Sequence, residues 1–565
     1  MRAGFCRLVA AWAMVMASAT AMAQVIPPSA QPGRERERFT QPSAPLSQPG
    51  GAAISLPSTV APPGADKTKL FVRAIQIVGM TVYTQEQMAP LYADLIKHEV
   101  TLQAIYDLAQ KITAKYGNDG YVITRAIVPP QEIDPKGATV RIQVIEGYVD
   151  RVEWPSALKS YVNFFDYYTS RITAERPSNI RTIERYLLLA GDLPGLKFKN
   201  SLKPSPDHPG AATLVVEVTE KRFDALARVD NRGPPGQGPL EFLATGTINN
   251  LFHIHDAFTF TYAGPFKTEE LKYIYGQYSQ VLMPEGLQFF INASDGVGRP
   301  GTPELQALDY RTKSAVAETG LSFPWLRTRE RNLSTTLLAF ASNNQQIILD
   351  APDTPPSTLD KIRGFRFKVN ADAADPLNAI NQLNLIVSQG IQGLGSTTNG
   401  SPLASRLNGQ VDFTKIEATG TRLQPLPQNF SLLLAAYGQY AGTPLLNPEQ
   451  CGYGGRVFGR AFYPSQFVAD ECFEALGELR YDVQGMPKEF TQTQLYGFVD
   501  NGWLHNLAPD VGTPRNVVAA SAGGGVRFGL FDVLSADLSA AKAVEAPARG
   551  TQNAWQFFFI LSAKY

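Results

Sequence analysis

The chain has 565 residues with 51 Lys plus Arg against 51 Asp plus Glu, a balance that gives no support to nucleic acid or to an acidic partner. That length excludes a single ordinary core and predicts two to four domains. Beyond the first 23 residues no run of about 18 uninterrupted apolar residues exists, which excludes a membrane-spanning helix.

Arg2 and Arg7 precede an apolar run from Leu8 to Ala17, and Ala21 to Ala23 supplies small residues for cleavage, so residues 1–23 read as a secretory signal peptide. The exported chain then keeps Cys451 and Cys472. They can close one loop as a disulfide or stand as two unpaired thiols. Residues 24–68, rich in Pro, Ser, Gly and Gln, read as an extended or disordered linker. The alternating Arg and Glu from Arg34 to Arg38 could seed a short helix there, although a solvated segment is the expectation.

From 69 to 150 the pattern changes. Phe71, Ala74, Ile75 and Ile77 suggest a strand, Thr84 with Gln87 forms a capping box, and Thr101 opens a helix with Leu102, Ile105, Tyr106, Leu108 and Ile112 on one face. Strands Tyr121 to Val128 and Thr139 to Val144 follow, giving the order β-α-α-β-β. Residues 151–221 repeat this order more loosely, so two small α+β modules stand in tandem.

From 222 to 565 helical periodicity gives way to short alternating segments. Phe258, Phe260 and Tyr262 share one face, as do Leu383, Leu385 and Val387, with tight-turn signals such as Met283 to Gly286 between segments. The chain closes on Trp555, Phe557, Phe559, Leu561, Ala563 and Tyr565 at period two. A strand of about 9 to 11 residues crosses a bilayer, and only a closed barrel pairs every backbone group of such strands. At about 20 residues per strand with its share of turns, the region holds roughly 16 antiparallel strands. The expected fold is an all-β transmembrane barrel behind two α+β modules, with the last strand turning its rings to lipid.

These residues resemble the two-partner secretion transporters of the Omp85 superfamily, which have two periplasmic POTRA domains before a 16-stranded outer-membrane barrel. Gly120 to Val122, Pro130 with Gln131, and Glu146 with Gly147 look like signposts of a first POTRA; Leu187 to Gly195 looks like part of a second, and Val229 to Gly233 like the first barrel strand. "GGRVFGRAFYPSQF" resembles the family's loop that folds back into the lumen, placing Arg460 on its arginine, Ala461 on its glycine and Phe462 on its aromatic residue. Alanine in place of glycine would cost stability if that position needs a positive φ. "GFVDNG" resembles the family's strand motif Phe-x-Asp-x-Gly through Phe498, Asp500 and Gly502, and makes Asp500 the expected partner of Arg460.

The resemblance implies capture of an unfolded, large, β-helical exoprotein in the periplasm and its passage to the surface, with no nucleotide and no metal. Outer-membrane lipid and the barrel-assembly machinery are the further partners implied. Strand addition at an accessible sheet edge would suit such a client, and Tyr121, Val122, Ile123, Thr124, Arg125, Ala126, Ile127 and Val128 form the candidate edge. A factor that assembles other barrels and a passive pore are the alternatives. The glycines at 296, 298 and 301 lack a following helix, and His253 with His255 lacks a third ligand, so neither marks a nucleotide or metal site. No catalytic constellation appears.

Overall fold

The computed structural model describes residues 26–40, 44–50, 60–132, 134, 137–348, 356–510, 512–547 and 554–565. The expected signal peptide lies outside them.

The first module is a four-stranded sheet in the order Glu99–Thr101, Lys69–Val78, Ala138–Ile145, Arg125–Ile127, with the helix Leu102–Asn118 packed on it. Both predicted caps form: Thr84 and Gln87 make the capping box, and the Thr101 hydroxyl accepts from the Ala104 amide. Ile105, Leu108, Ala109, Ile112 and Tyr116 meet Val72, Val140 and Ile142 in one core. The helix period and the strand alternation therefore bury complementary faces. Glu146 accepts from the Thr81 and Val82 amides at 2.7 and 3.1 Å and from the Tyr116 hydroxyl at 2.7 Å.

The predicted strand Tyr121–Val128 is a correction. Only Arg125–Ile127 is extended, because Gly120 turns the chain with φ +99° and Tyr121 to Thr124 form a turn. The short strand does lie at the sheet edge, but the Ala126 amide donates to the Thr113 hydroxyl of the helix at 2.9 Å. Beyond it the Gln131 side chain replaces a strand residue, donating to Arg141 O and accepting from Arg141 N at 2.8 Å each.

The second module pairs Tyr148–Glu153 with Ala211–Glu220, which in turn pairs with Leu196–Pro204 at the other edge, under the helices Phe165–Ala174 and Ile180–Gly191. Its first strand crosses residue 150, so the junction between modules falls earlier than the expected division, at Gly147. A side chain there would strike the Ile123 carbonyl.

Sixteen strands, from Phe223–Asp230 to Gln556–Lys564, close a barrel in which each pairs antiparallel with its sequence neighbour. The interrupting hairpin Cys451–Tyr453 with Phe467–Ala469 belongs to a loop inside it. Phe258, Phe260, Leu321, Leu337, Phe365, Phe557 and Leu561 are exposed on the outer wall, whereas Glu318, Glu474, Glu478 and Asp500 are buried on the inner face. Trp555 and Tyr565 flank the final strand rather than lie in it. Where the first and last strands meet, five residue pairs are in register, from Ile560 with Asp230 to Lys564 with Leu226. The Asn231 side chain continues that ladder, donating to Phe557 O at 2.9 Å and accepting from Phe559 N at 2.8 Å.

The second module is docked on the near rim. Glu285, in the turn after Lys272–Val281, accepts from the Tyr167 and Tyr186 hydroxyls at 2.6 and 3.0 Å and pairs with Arg185 at 3.0 Å. Arg327 grips Asp192 through two nitrogens at 2.6 and 2.7 Å. His253 and His255 occupy left-handed backbone in the preceding turn, between Glu241–Asn249 and Asp256–Pro265, and the buried His255 ring lies among Tyr161, Phe164 and Phe165 while bonding Val162 O at 2.8 Å.

Candidate functional site

Two segments of the chain fill the barrel lumen. The first is the loop between the strands Phe430–Ala441 and Glu471–Asp482, which folds inward and carries Arg460 near its tip. Its hairpin is bonded to the wall through Cys451 and Cys472, whose Cα atoms lie 6.4 Å apart.

The strand Phe490–His505 supports the tip with alternate residues. Phe498 lies under the Arg460 guanidinium, with Cζ 4.5 Å from the ring centroid. Asp500 accepts from the Gly459 amide at 2.9 Å, the Arg460 amide at 3.4 Å, the Tyr453 hydroxyl at 2.5 Å and the Ser521 hydroxyl at 2.8 Å. Gly502 leaves the room that the Tyr453 ring occupies, since a Cβ there would approach its Cδ2 to 2.5 Å. Period-two spacing thus sets a ring, an acceptor and a space on one inner face.

The Arg460 side chain corrects the expected pairing. Its guanidinium bonds Glu478 on the neighbouring strand, while Asp500 takes only its backbone amide. Asp500 is saturated by two amides and two hydroxyls; Glu478 is fully buried and also receives Arg480 at 2.7 Å and Arg527 at 2.8 Å. Glu478 thus gathers three guanidiniums around one buried carboxylate, and the saturated Asp500 holds the loop through its backbone instead. Nor does Ala461 need left-handed backbone: it is absent from the residues with positive φ, and Gly459 takes that conformation at +65°. A side chain at Gly459 would come within 2.7 Å of Gly454, so the glycine requirement has moved two residues upstream of Ala461. Phe462 is buried between Tyr453 and Phe467.

The second occupant comes from the segment that the sequence leaves open between a short helix and a solvated linker. The predicted solvated linker instead forms the helix Glu35–Phe39 inside the barrel. Arg36 pairs with Glu318 at 2.7 Å, Arg38 binds Glu241 and the Gln237 side chain, and Arg34 donates to Asn447 O at 2.8 Å. Phe39 packs on Tyr273 with ring centroids 5.3 Å apart. Residues 26–30 pack at the far end against Leu305, Leu308 and Tyr310, while at the near end the Ser47 amide reaches Asp372, close to the end of the strand Thr358–Ala374, and the Gln48 amide reaches Arg329 O in the turn after Arg311–Arg327. The segment therefore runs the length of the lumen. Its signal was the Arg and Glu alternation, whose partners lie roughly 200 to 400 residues away and cannot be read from spacing.

The two occupants share charges. Glu318 receives Arg36 and Arg366, and Arg366 reaches Glu449 of the loop at 2.7 Å, which also binds Lys415 at 2.9 Å. This arrangement can hold two plugs in register and can exchange one set of ion pairs for another. Among the described residues no cluster of His, Cys, Asp and Glu fits a metal ion.

Residues 210–528 match the family model described as haemolysin secretion/activation protein ShlB/FhaC/HecB, and residues 70–147 match the POTRA domain, ShlB-type. The chain is 23% identical over 474 residues to the heme/hemopexin transporter protein HuxB of Haemophilus influenzae, covering 81% of each. It is 21% identical over 479 residues to the outer membrane transporter CdiB of Dickeya dadantii, covering 80% of this chain and 79% of that one. The structure of CdiB from Escherichia coli superposes with a TM-score of 0.67 at 17% identity, over 96% of this chain and all of that one, a likeness of fold.

Proposed function

Because the chain belongs to the ShlB/FhaC/HecB family of haemolysin secretion/activation proteins, we propose a division of labour among its parts that carries one exoprotein across the outer membrane. The chain is an outer-membrane two-partner secretion transporter with its POTRA region in the periplasm, and its partner is a secreted exoprotein. In this reading residues 69–147 and the second module, as a second POTRA, receive the unfolded client, and the barrel from residue 222 conducts it. The supporting observation is a closed barrel whose bore is filled by two segments of its own chain, each making buried ion pairs with the wall.

For client capture the geometry favours the edge Leu196–Pro204. It has nine residues, most of them exposed, against three in the covered first-module edge. Strand addition there would supply main-chain hydrogen bonds with little demand on client sequence. A large β-helical client suits this mode, since it would continue strand pairing as it folds outside. The Arg460 loop shapes the bore and the N-terminal segment occludes it. The final strand, with Trp555 and Tyr565 at its borders, is the part the barrel-assembly machinery would handle.

The test compares proteins in the medium, on the cell surface and in the outer membrane with and without this chain. Loss of one large exoprotein with other barrels unchanged is expected; a general fall in outer-membrane barrels would overturn the reading in favour of assembly.

A further inference from the structure

The outer wall is not uniform at the end facing the cell surface. The strands Lys272–Val281, Arg311–Arg327 and Thr358–Ala374 begin there, opposite the end that touches the second module. Near their starts, outward positions carry Lys272, Lys313, Lys361 and Arg363. Alternation fixes this orientation: Tyr273, Thr312, Ser314 and Ile362 between them are buried inward. Lys272 and Lys313 both register with Val297 of the strand between, so they stand two strand spacings apart, about 10 Å. Lys361 is one outward step lower, in register with Asn343. Arg363 is held by bonds to Ser342 O at 3.0 Å and to the Asn343 side chain at 2.9 Å.

The three lysines make no ion pair among the described residues. Asp295 on the intervening strand faces outward among them, Glu269 is exposed in the loop before Lys272 beside Lys267, and Asp309 is taken by Arg299 at 2.6 Å and Arg311 at 3.4 Å. The patch stays net positive. Across the wall from Thr414–Pro425 to Gln556–Lys564, Lys542 is the corresponding outward lysine. Below the charged residues, Gly276, Ala293, Ala317 and Ala341 lie side by side in register, a shallow trough on the lipid face.

We propose that this patch docks the phosphorylated glycolipid of the outer leaflet, lipid A. Its phosphates meet Lys272, Lys313 and Lys361, with Arg363 at the lower border, and its acyl chains lie in the trough. Charge complementarity selects the headgroup: unpaired ammonium groups at the level where apolar wall meets water attract an anion, and two lysines about 10 Å apart suit a headgroup with two phosphates. The small residues beneath let chains approach the wall closely.

The test uses the full chain in detergent, mixed with bisphosphorylated lipid A, monophosphorylated lipid A or phosphatidylglycerol, with bound lipid counted by native mass spectrometry. Wild type is expected to prefer the bisphosphorylated form. The triple variant Lys272→Gln, Lys313→Gln, Lys361→Gln is expected to lose about a hundredfold in affinity for it, while its heat-modifiable electrophoretic shift reports an intact barrel. A folded variant that keeps wild-type binding overturns the proposal. So does a wild-type chain that takes phosphatidylglycerol equally well, a comparison that decides the matter even if the triple variant fails to fold.

Discussion

The pore loop and the N-terminal segment occupy one bore but are seated differently. The loop is anchored to strands at both ends, bonded to the wall at Cys451 and Cys472, and held by two buried carboxylates and an aromatic ring. The N-terminal helix has five residues and depends on arginine forks reaching Glu318, Glu241 and Gln237, with Phe39 as its main apolar contact. Removing a buried, saturated carboxylate leaves several polar groups without a mate, whereas a guest held by forks can be released by competing charges. The lumen therefore contains one wedge and one guest.

The sharpest way to break the wedge is Asp500→Ala. It strands two amides and two hydroxyls, and about 4 kcal/mol of loop seating should be lost, seen as collapsed export and a lower temperature of barrel unfolding by heat-modifiable electrophoresis. Glu478→Gln comes next, removing the charge that three guanidiniums share, at about 3 kcal/mol. In the same experiment, the charge exchange Arg460→Asp with Asp500→Arg should fail to restore export, because the guanidinium pairs with Glu478. Restoration would return the pairing to Asp500.

Loosening the guest should look different. Arg36→Ala with Arg38→Ala should raise single-channel conductance in planar bilayers while the unfolding temperature of the barrel stays near wild type; a large loss of stability would erase the distinction between wedge and guest.

The smallest expected effect lies at the rim. Burial pushes the His255 imidazole down, against smaller upward pulls from its bond to Val162 O and from the neighbouring Asp256. The docked form thus binds its proton more weakly than the free form, so docking is full above about pH 6.5 and weakens as pH falls below it. Burial pushes the Glu285 carboxyl up, but its bonds to Tyr167, Arg185 and Tyr186 outweigh this and hold it low, so it stays ionised over that window. Cysteine cross-linking between the second module and the 250–255 turn should decline on acidification, and His255→Phe should flatten the profile.

Much of this fold was legible in sequence because its signals are local. Thr84 with Gln87 announces a cap, and alternation marks both wall faces from Phe258 to Leu561. Phe498, Asp500 and Gly502 are legible only through the resemblance of "GFVDNG" to the family's strand motif, and all three act on the loop. What spacing could not settle was partner choice: Glu478 is four residues from Glu474 on the same inner face, and only the packed position of the loop selects it. The guest helix was hidden for the same reason, since its acids belong to distant strands. The edge strand shrank because Gly120 and the turn after it won over β-propensity in Tyr121 to Thr124.

The seam between the first and last strands has a topological consequence. It closes a ring around a piece of the same chain, with residues 26–30 at one mouth and Gln48 at the other. Were the seam zipped first, the segment could enter only by sliding through the bore past Glu318 and Glu241. Laid across the open sheet before Asn231 meets Phe557 and Phe559, it needs no such passage. The ring is shut by hydrogen bonds rather than covalently, so the threaded chain is not a knot, and the order in which the two strands meet decides whether the barrel is born occupied.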